Sequence, residues 1–431
     1  MVGQEILTET FLTKSSKVHF RGVAVLSERL FLASTLLFVL VSFLFVGSVG
    51  ASSVMWSRTY GGTFIDSAEA LVQTSDGGYA IAGYTWNIET EIHDFLLVKT
   101  NEYGDMEWNQ TYGGNGIEYA YALVETSDGG YAIAGTINND GWLVKTDAYG
   151  NMEWNKTYGG PEPDRVYALV ETSGGGYAIA GETASVNVGN YDFWLVKTDA
   201  NGNMEWNKTY GKATGEGANS LIETSDGGFA LAGATTHFGI FAKPYSDFWL
   251  VKTDAYGNME WNQTYGKEET EIAQSLVETS DGGYALAGYI TTSLGILHEF
   301  WLVKTDTYGN VEWNQTYGES GMKEAYALVE TSDGGFALAG GELLVKTDSY
   351  GNMAWNRTCE GDAHALVETS DGGYALAGVQ RSSDSESDDF WLAKTDEYGI
   401  IPEFPSRIVL PLLITATVVT LIYKQKLTKN K

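Results

Sequence analysis

The sequence predicts an all-β protein, a seven-bladed β-propeller of four-stranded blades, on two repeated motifs and the short runs between them. The phrase TSDGGYA or a close variant recurs seven times, with its serine at Ser75, Ser127, Ser173, Ser225, Ser280, Ser332 and Ser370. A tryptophan in segments such as MEWNQTYGG also recurs seven times, at Trp56, Trp108, Trp154, Trp206, Trp261, Trp313 and Trp355. The runs between them are short, rich in Val, Thr, Trp and Tyr, and lack a helical period. Seven copies at roughly 50-residue spacing are typical of a propeller or a solenoid.

Each unit divides into four strands. The segment YALVETSDGGYAIAG predicts two strands around a glycine-rich turn, Asp128-Gly129-Gly130, which supplies the positive φ of a tight hairpin. The segment DFWLVKTDAYGNMEW predicts the other two strands around an Asp-x-x-Gly-Asn turn. Four strands in each of seven units favour the propeller. We expect the outer-strand tryptophans and those of the third strand to pack between adjacent blades. The third-strand tryptophans are Trp142, Trp194, Trp249, Trp301 and Trp391.

The two ends of the repeat complement one another. The last copy ends with FWLAKTDEYG and lacks a fourth strand, whereas the first motif, VMWSRTYGG at 54–62, has no hairpin before it. We therefore expect Val54–Tyr60 to pair beside Phe390–Thr395, so that the N-terminal strand completes the last blade and closes the ring. Closure removes two exposed strand edges that would otherwise favour aggregation.

The propeller is predicted over 52–399, between two hydrophobic segments that we expect to be helices. Residues 1–51 contain the apolar run Leu30–Val49 behind basic residues, and are interpreted as a signal peptide or an N-terminal anchor. Residues 400–431 contain the uncharged run Ile408–Tyr423, a short transmembrane segment followed by lysines that place this end in the cytoplasm. The protein is thus expected to be exported and tethered to the extracellular face of the cell membrane.

The motif Pro402-Glu403-Phe404, followed by an apolar segment and a basic end, resembles the PEF-type C-terminal sorting signal of archaeal surface proteins. This resemblance covers about 30 residues. It implies an archaeal source and an archaeosortase-like processing enzyme that cleaves near the motif and attaches a lipid. A plain C-terminal anchor is the alternative interpretation.

The charge distribution limits the partners. Residues 1–51 hold four basic and three acidic residues, and residues 407–431 hold five basic and none acidic. The remaining 52–406 carry 17 basic and 53 acidic residues, a net charge of about −36. Such a body repels nucleic acid and attracts cations, so no nucleic-acid partner is expected. The single cysteine, Cys359, cannot form an internal disulfide.

The loops differ from copy to copy on one face of the predicted propeller, whereas the SDGG and DAYGN turns on the other face repeat. Variable loops on a constant scaffold indicate a binding surface. We therefore predict a binding or adhesion module for surface glycans, envelope proteins or cations. The loop residues Trp86, Tyr191, Phe238, Phe241 and Tyr245 are the candidate contacts.

An acidic residue precedes every inner strand, and the first strand of each blade lines the axis. The seven acids are predicted to ring the mouth of the central channel as a site for a cationic ligand or a divalent cation such as calcium. The alternative is that each carboxylate accepts hydrogen bonds from a neighbouring blade. The seven acids are Asp66, Glu118, Asp164, Glu216, Glu271, Glu324 and Asp362.

Six copies of the outer strand carry the pattern Asn-x-Thr, the acceptor pattern for N-glycosylation. On the outermost strand of an exported protein these sites would be reachable; the alternative is simple copying of a structural pattern. The candidate sites are Asn109, Asn155, Asn207, Asn262, Asn314 and Asn356.

The sequence shows no catalytic pattern. The histidines have neither metal-ligand spacing nor a Ser/His/Asp arrangement, and no cofactor is indicated with certainty. KTDAYGNMEW resembles the repeat of quinoprotein-type propellers, which supports the blade architecture without a matching cofactor cluster. An exported hydrolase or quinoprotein-like enzyme with acids at the axial mouth, and a purely structural envelope component, are the alternatives to a binding module.

Overall fold

The computed structural model describes most of the repeat region. The described residues are 55–61, 65–87, 92–114, 116–184, 190–211, 214–238, 244–266, 269–292, 297–318, 323–381 and 387–400. The predicted signal peptide or anchor at 1–51, the sorting motif Pro402–Phe404 and the apolar segment at 408–423 lie outside them. Within the described residues, no helix has the length and apolar character needed to cross a membrane.

The regular elements of the described chain are β-strands, numbered β1 to β26. The first strand is β1 (Trp56–Tyr60). Five four-stranded sheets follow in chain order. The first is β2 (Ile65–Gln73), β3 (Tyr79–Asn87), β4 (Ile92–Thr100) and β5 (Met106–Tyr112). The second is β6 (Glu118–Glu125), β7 (Tyr131–Ile137), β8 (Asp140–Thr146) and β9 (Met152–Tyr158).

The next three sheets repeat this order. The third is β10 (Asp164–Glu171), β11 (Tyr177–Thr183), β12 (Asp192–Thr198) and β13 (Met204–Tyr210). The fourth is β14 (Glu216–Glu223), β15 (Phe229–Phe238), β16 (Pro244–Thr253) and β17 (Met259–Tyr265). The fifth is β18 (Glu271–Glu278), β19 (Tyr284–Thr292), β20 (Leu297–Thr305) and β21 (Val311–Tyr317). Neighbouring strands within these sheets pair antiparallel.

The sixth and seventh repeat units share one six-stranded sheet. Its strands are β22 (Ala327–Glu330), β23 (Phe336–Thr347), β24 (Met353–Glu368), β25 (Tyr374–Arg381) and β26 (Asp388–Lys394), with β1 at its edge. The prediction of seven separate blades is therefore wrong, because the strands form six sheets. The sixth unit has almost no loop at 341–342, so β23 runs through two predicted strands. Likewise β24 is both the outer strand of the sixth unit, paired with β23, and the inner strand of the seventh, paired with β25.

The N-terminal strand closes the last unit, as the sequence predicts. β1 pairs antiparallel with β26, with Trp56 opposite Lys394 and Tyr60 opposite Phe390. The Tyr60 hydroxyl donates to the carbonyl oxygen of Gly104 at 2.7 Å, in the first unit. This strand therefore bonds to the last unit and contacts the first.

Aromatic side chains fill the junctions between units, which confirms the prediction for the repeated tryptophans. Phe95 of the first unit lies with its ring centroid 4.5 Å from that of Trp142 in the second, and both side chains are buried. The outer-strand Trp108 meets Tyr131 of the next unit edge-on at 5.8 Å. Each such ring removes about 150–250 Å² from water, so the junctions are the main hydrophobic cores.

The repeated turns form hydrogen bonds from each unit to the next. Ser75 donates its backbone N–H to Oε2 of Glu125 at 2.7 Å and its hydroxyl to Oε1 at 2.8 Å. We call this serine–glutamate pair a latch. The same latch joins Ser127–Glu171, Ser173–Glu223, Ser225–Glu278, Ser280–Glu330 and Ser332–Glu368.

Glycine is required at three positions of these turns. Gly129 of the SDGG turn has φ +84°, and a Cβ on Gly130 would lie 2.1 Å from the carbonyl oxygen of Thr146. Gly150 of the DAYGN turn has φ +77° and lies under the ring of Trp108, where a Cβ would come within 2.6 Å. Gly150 thus allows the outer-strand tryptophan of one unit, Trp108, to cover the turn of the next unit.

Candidate functional site

Six of the seven inner strands carry a β-bulge at the position two residues before the strand's leucine, and in the sixth unit the equivalent residue, Tyr326, directly precedes β22. In β6 the register shifts between Ala120 and Ala122, which sets Tyr121 apart as the bulged residue. The same shift occurs in β2, β10, β14, β18 and β24. The residue at this position differs from unit to unit although its surroundings repeat. The seven residues are Glu69, Tyr121, Tyr167, Asn219, Gln274, Tyr326 and His364.

Five of these residues line a cavity of about 280 Å³ on the axis, to which all seven units contribute. Tyr121, Tyr167, Asn219, Tyr326 and His364 line it together with the alanines, serines and leucines that follow them. We call this cavity the axial channel. This set was not predicted from the sequence, although the sequence holds one signal of it: the position varies inside an otherwise constant strand of the repeat.

Aromatic side chains occupy the first three units beside the channel. Trp86 stacks on His93 at 5.1 Å, and His93 contacts Tyr119 at 4.6 Å. Tyr119 lies 6.2 Å from Tyr121, whose ring meets that of Tyr167 edge-on at 5.3 Å. These centroid distances describe a continuous aromatic surface, which we call the aromatic arc. Burial raises the pKa of the Tyr121 and Tyr167 hydroxyls, so both remain neutral donors at physiological pH.

A charged pair ends the aromatic arc in the third unit. Arg165 Nη1 lies 2.6 Å from Glu182 Oε1, and the Tyr167 hydroxyl donates to the same oxygen at 3.1 Å. The guanidinium also stands 5.3 Å from the ring centroid of Tyr191, one of the predicted loop contacts. Since its charge is matched by Glu182, Arg165 orders this side of the channel without making it positive.

The opposite side of the channel is acidic and contains histidine. His364 Nδ1 lies 3.2 Å from Glu69 Oε2, and Nε2 lies 3.9 Å from Asp362 Oδ1. Burial disfavours protonation of His364, but the hydrogen bond and charge of Glu69, with Asp362, raise its pKa above the usual range. Burial also raises the pKa of Asp362; the charge of His364 opposes this effect, and the charges of Glu342, Glu69 and Glu324 add to it.

A second histidine–carboxylate contact lies beside the first. His298 Nδ1 is 2.6 Å from Glu324 Oε1, and the Tyr326 hydroxyl donates to Glu324 Oε2 at 2.8 Å. The ring of Tyr326 meets that of His364 edge-on at 5.4 Å. The first, fifth, sixth and seventh units thus contribute an asymmetric group of titratable side chains, Glu69, His298, Glu324, Asp362 and His364, which we call the acidic arc. This group was not predicted from the sequence, where the histidines show neither metal-ligand spacing nor a Ser/His/Asp arrangement.

The seven predicted acids do not form one ring at the channel mouth. Asp66, Glu118, Asp164, Glu216 and Glu271 are each at most 3% exposed. These five precede the strand's leucine by five residues. Glu324 and Asp362 precede it by four, and side chains alternate between the two faces of a strand. The structure therefore brings Glu324 and Asp362 to the acidic arc and separates the other five from it.

Several of the five buried acids face an acid of the preceding unit across the junction. The negative charge of Asp94 acts on Glu118 and that of Asp164 acts on Asp140. A Cβ on Gly61 would lie 2.4 Å from Asp389 Oδ1 and 2.8 Å from Asp66 Oδ2. Burial, followed by the charge of Asp94, raises the pKa of Glu118 to about 7. We call these the junction carboxyl pairs.

Two of the buried acids, Asp164 and Glu216, accept hydrogen bonds, as the alternative interpretation predicts. Asp164 Oδ2 accepts the backbone N–H of Gly160 at 2.6 Å, and Asp164 accepts the hydroxyl of Thr183. Glu216 Oε1 accepts the hydroxyls of Thr214 at 2.7 Å and Thr235 at 3.1 Å. These two carboxylates therefore fasten the connection that leads into their strands.

The remaining candidate residues are placed as follows. The six Asn-x-Thr asparagines are exposed on the outer strands β5, β9, β13, β17, β21 and β24. Some also bond locally: Asn155 Oδ1 accepts from Trp142 Nε1 at 3.3 Å. Tyr245 lies 5.6 Å from His237, whereas the side chains of Phe238 and Phe241 lie outside the described residues. Within the described ranges, no group of three or more His, Cys, Asp or Glu side chains could hold a metal ion.

No protein-family model matches the chain. No curated protein matches it in sequence either. Solved structures are similar in fold. Sqt1 from Chaetomium thermophilum has a TM-score of 0.50 at 12% identity, covering 82% of this chain and 86% of that one. The Neurospora crassa Pan2 WD40 domain has 0.49 at 10% identity, covering 80% and 100%. BamB from Moraxella catarrhalis has 0.44 at 14% identity, covering 75% and 85%. The chain is a β-propeller repeat protein with an asymmetric axial channel.

Proposed function

We propose that this protein is an exported, membrane-tethered binding module of the cell surface that holds a carbohydrate at the mouth of its axial channel. The observation that carries this proposal is the bulged position of the inner strands. The seven repeat units present Glu, Tyr, Tyr, Asn, Gln, Tyr and His at the equivalent position, and five of these residues line the channel. A scaffold needs no such variety, whereas a single asymmetric ligand does.

The residue types favour a neutral carbohydrate. The flat faces of Tyr121 and Tyr167 offer apolar surface to the C–H groups of a sugar ring. Asn219 can donate and accept, and the carboxylates of the acidic arc accept from sugar hydroxyls. Tyr326 and His364 line the same cavity, and each contacts a carboxylate of the acidic arc, Glu324 and Glu69 respectively. An envelope protein or a cationic ligand, the other partners considered above, would use fewer of these aromatic and polar groups.

Binding of soluble envelope oligosaccharides to the purified chain, measured by calorimetry, tests the proposal. Tyr121→Ala and Tyr167→Ala are expected to weaken binding by about tenfold or more, since each removes a stacking face. Tyr149→Ala is the matched control, because Tyr149 is 73% exposed in a repeated DAYGN turn on the opposite face. Equal affinity in all three variants, or no binding by the wild-type chain across such a set, would remove the channel as the site.

A hydrolase is the second candidate, and one observation favours it. His298 and Glu324 are 2.6 Å apart, and His364 lies between Glu69 and Asp362, so the acidic arc holds carboxyl groups in different environments. Such differences permit acid and base roles. Turnover of the bound oligosaccharide that is lost in Glu324→Gln would establish this activity. Binding without turnover would leave the module as a receptor.

Export and tethering are supported by the apolar segments of the sequence and by the Pro402-Glu403-Phe404 resemblance to an archaeal sorting signal. Cell fractionation of the native protein, combined with intact-mass measurement, tests both. A tethered, processed protein would be protease-accessible from outside and lack the mass of the segment beyond Phe404. An intact mass that exceeds the mass of the polypeptide by one to six glycans would establish N-glycosylation of Asn109 and its five counterparts. An unmodified mass would show that these asparagines serve as structural residues.

A further inference from the structure

Asp94 and Glu118 belong to adjacent units and are held side by side. Ile117 forms a parallel β-bridge with His93, so the residues that follow in each segment, Asp94 and Glu118, are aligned across the junction. Asp94 accepts the backbone N–H of Gly114, and its charge acts directly on Glu118. Two acceptor-only groups are thus brought together at one place by the backbone itself.

The Glu118 carboxylate is buried and, in the part of the chain that the structure describes, lacks hydrogen-bond partners for one of its two oxygen atoms. The residue is 1% exposed, and its Oε2 has no hydrogen-bond partner among the described residues. No lysine, arginine or histidine within the described ranges forms an ion pair with Glu118 or with Asp94. A buried carboxylate oxygen beside a second carboxylate is costly unless a positive species lies between them.

The surroundings of the pair provide further oxygen atoms. Asn138 Oδ1 accepts only a long hydrogen bond, 3.3 Å, from the Ile117 N–H. A Cβ on Gly116 would lie 2.4 Å from Glu118 Oε1, 2.8 Å from Asn138 Oδ1 and 2.9 Å from Asn138 Nδ2, so both side chains reach the space that this glycine leaves open. Asn138 and Asn139 adopt φ +49° and +75°, a tight turn that directs this loop toward the junction.

We propose that the junction between the first and second units binds a divalent cation, calcium, through the carboxylates of Asp94 and Glu118 and the side-chain oxygen of Asn138. Calcium takes several oxygen ligands in flexible geometry, and carboxylate and amide oxygens are its usual protein ligands. The cation would neutralise the facing charges and join two neighbouring units. This site is distinct from the axial channel, and it does not depend on the proposed carbohydrate binding.

The test is a calcium titration of the full-length chain after treatment with a chelator, followed by calorimetry and by the thermal unfolding midpoint. Saturation is expected at roughly 10⁻⁴–10⁻³ M calcium, the range of extracellular calcium modules, with a rise in the midpoint. Glu118→Gln and Asp94→Asn are each expected to remove one bound calcium. Glu107→Gln is the matched control, since Glu107 is a partly exposed carboxylate of the first unit that pairs with Lys99.

The possible results distinguish a bound calcium ion from a proton that Asp94 and Glu118 share. Loss of one calcium in both variants, with the control unchanged and circular dichroism preserved, supports the site. If Glu118→Gln fails to fold, Asp94→Asn alone decides. No calcium binding by the wild-type chain up to about 10⁻² M overturns the proposal, as does unchanged stoichiometry in the variants. A Glu118→Gln chain that is more heat-stable than wild type in chelator, with no calcium effect on either, also overturns it and assigns a shared proton.

Discussion

Ser370 donates its backbone N–H to Oε1 of Gln73 at 3.1 Å, which joins the last SDGG turn to the first inner strand. Every other latch uses a glutamate that accepts two hydrogen bonds, as Glu125 does from Ser75. The ring therefore closes through the same contact as its internal junctions, but with a neutral acceptor. This difference identifies the closing junction as the weakest of the latches.

Gln73→Glu should strengthen that junction. A carboxylate at this position can accept from both the N–H and the hydroxyl of Ser370, and one added hydrogen bond is worth about 0.5–1.5 kcal/mol. Urea unfolding would measure the gain. Glu125→Gln, the reverse change at an internal latch, is the control and should cost a similar amount. A loss in the control without a gain in Gln73→Glu would show that closure is not limited by this contact.

The closure could be predicted from the sequence, but the blade count and the site could not. The pairing of β1 with β26 follows from counting strands, because only one unit lacks its fourth strand and only one spare strand exists. The strand β24 is continuous because the segment 360–363 carries the chain from its pairing with β23 to its pairing with β25. The number of repeats in the sequence does not reveal this. The acids were misplaced because a shift of one residue moves a side chain to the other face of a strand, as between Glu118 and Glu324. The varying bulged position was visible only by comparing units residue by residue.

Removal of the closing strand should expose β26. Trp56 is 5% exposed, and its Nε1 donates to the Glu102 carbonyl oxygen at 3.2 Å. Trp391 Nε1 donates to Ser57 Oγ at 2.9 Å, where other units use asparagine. Trp56→Ala should lower the free energy of unfolding by about 3–5 kcal/mol, and deletion of 54–60 should cause association through the free strand edge. Calorimetry and light scattering would measure these effects; a monodisperse deletion variant of unchanged stability would contradict them.

The two glycines of TYGG should respond differently to alanine. A Cβ on Gly113 would lie 1.9 Å from Asp94 Oδ1, whereas a Cβ on Gly114 meets nothing within 4 Å. Neither has a positive φ, so the comparison isolates the steric effect. Gly113→Ala should destabilise the chain by about 1–3 kcal/mol, and Gly114→Ala should be neutral or slightly stabilising. Equal midpoints in urea for both variants would mean that the carboxylate moves aside without cost.

Acid should weaken the ion pairs that buried lysines form with the aspartate of the SDGG turn in six of the units. Lys145 is buried and bonds to Asp128 of the SDGG turn at 2.9 Å. Burial opposes ionisation of Asp128, but hydrogen bonds from Thr126, Lys145 and Gly130 outweigh it and lower the pKa to about 2. Because the pKa of Asp128 in the folded protein lies below the ordinary aspartate value of 3.8, this stabilisation is present above pH 3.8 and is lost as the pH falls toward 2.

The third unit provides the matched test, because Gly174 replaces the aspartate and Lys197 donates to the Gly175 carbonyl oxygen at 3.0 Å instead. Gly174 has space around it and no positive φ. Gly174→Asp should therefore stabilise the chain at neutral pH by up to about 1 kcal/mol, a limit set by solvent screening of an exposed carboxylate. Urea unfolding from pH 7 to 2 should show this gain disappearing below pH 3.8. Gly174→Asn is the control without charge, and a gain of the same size in both variants at every pH would assign the effect to turn geometry rather than to the ion pair.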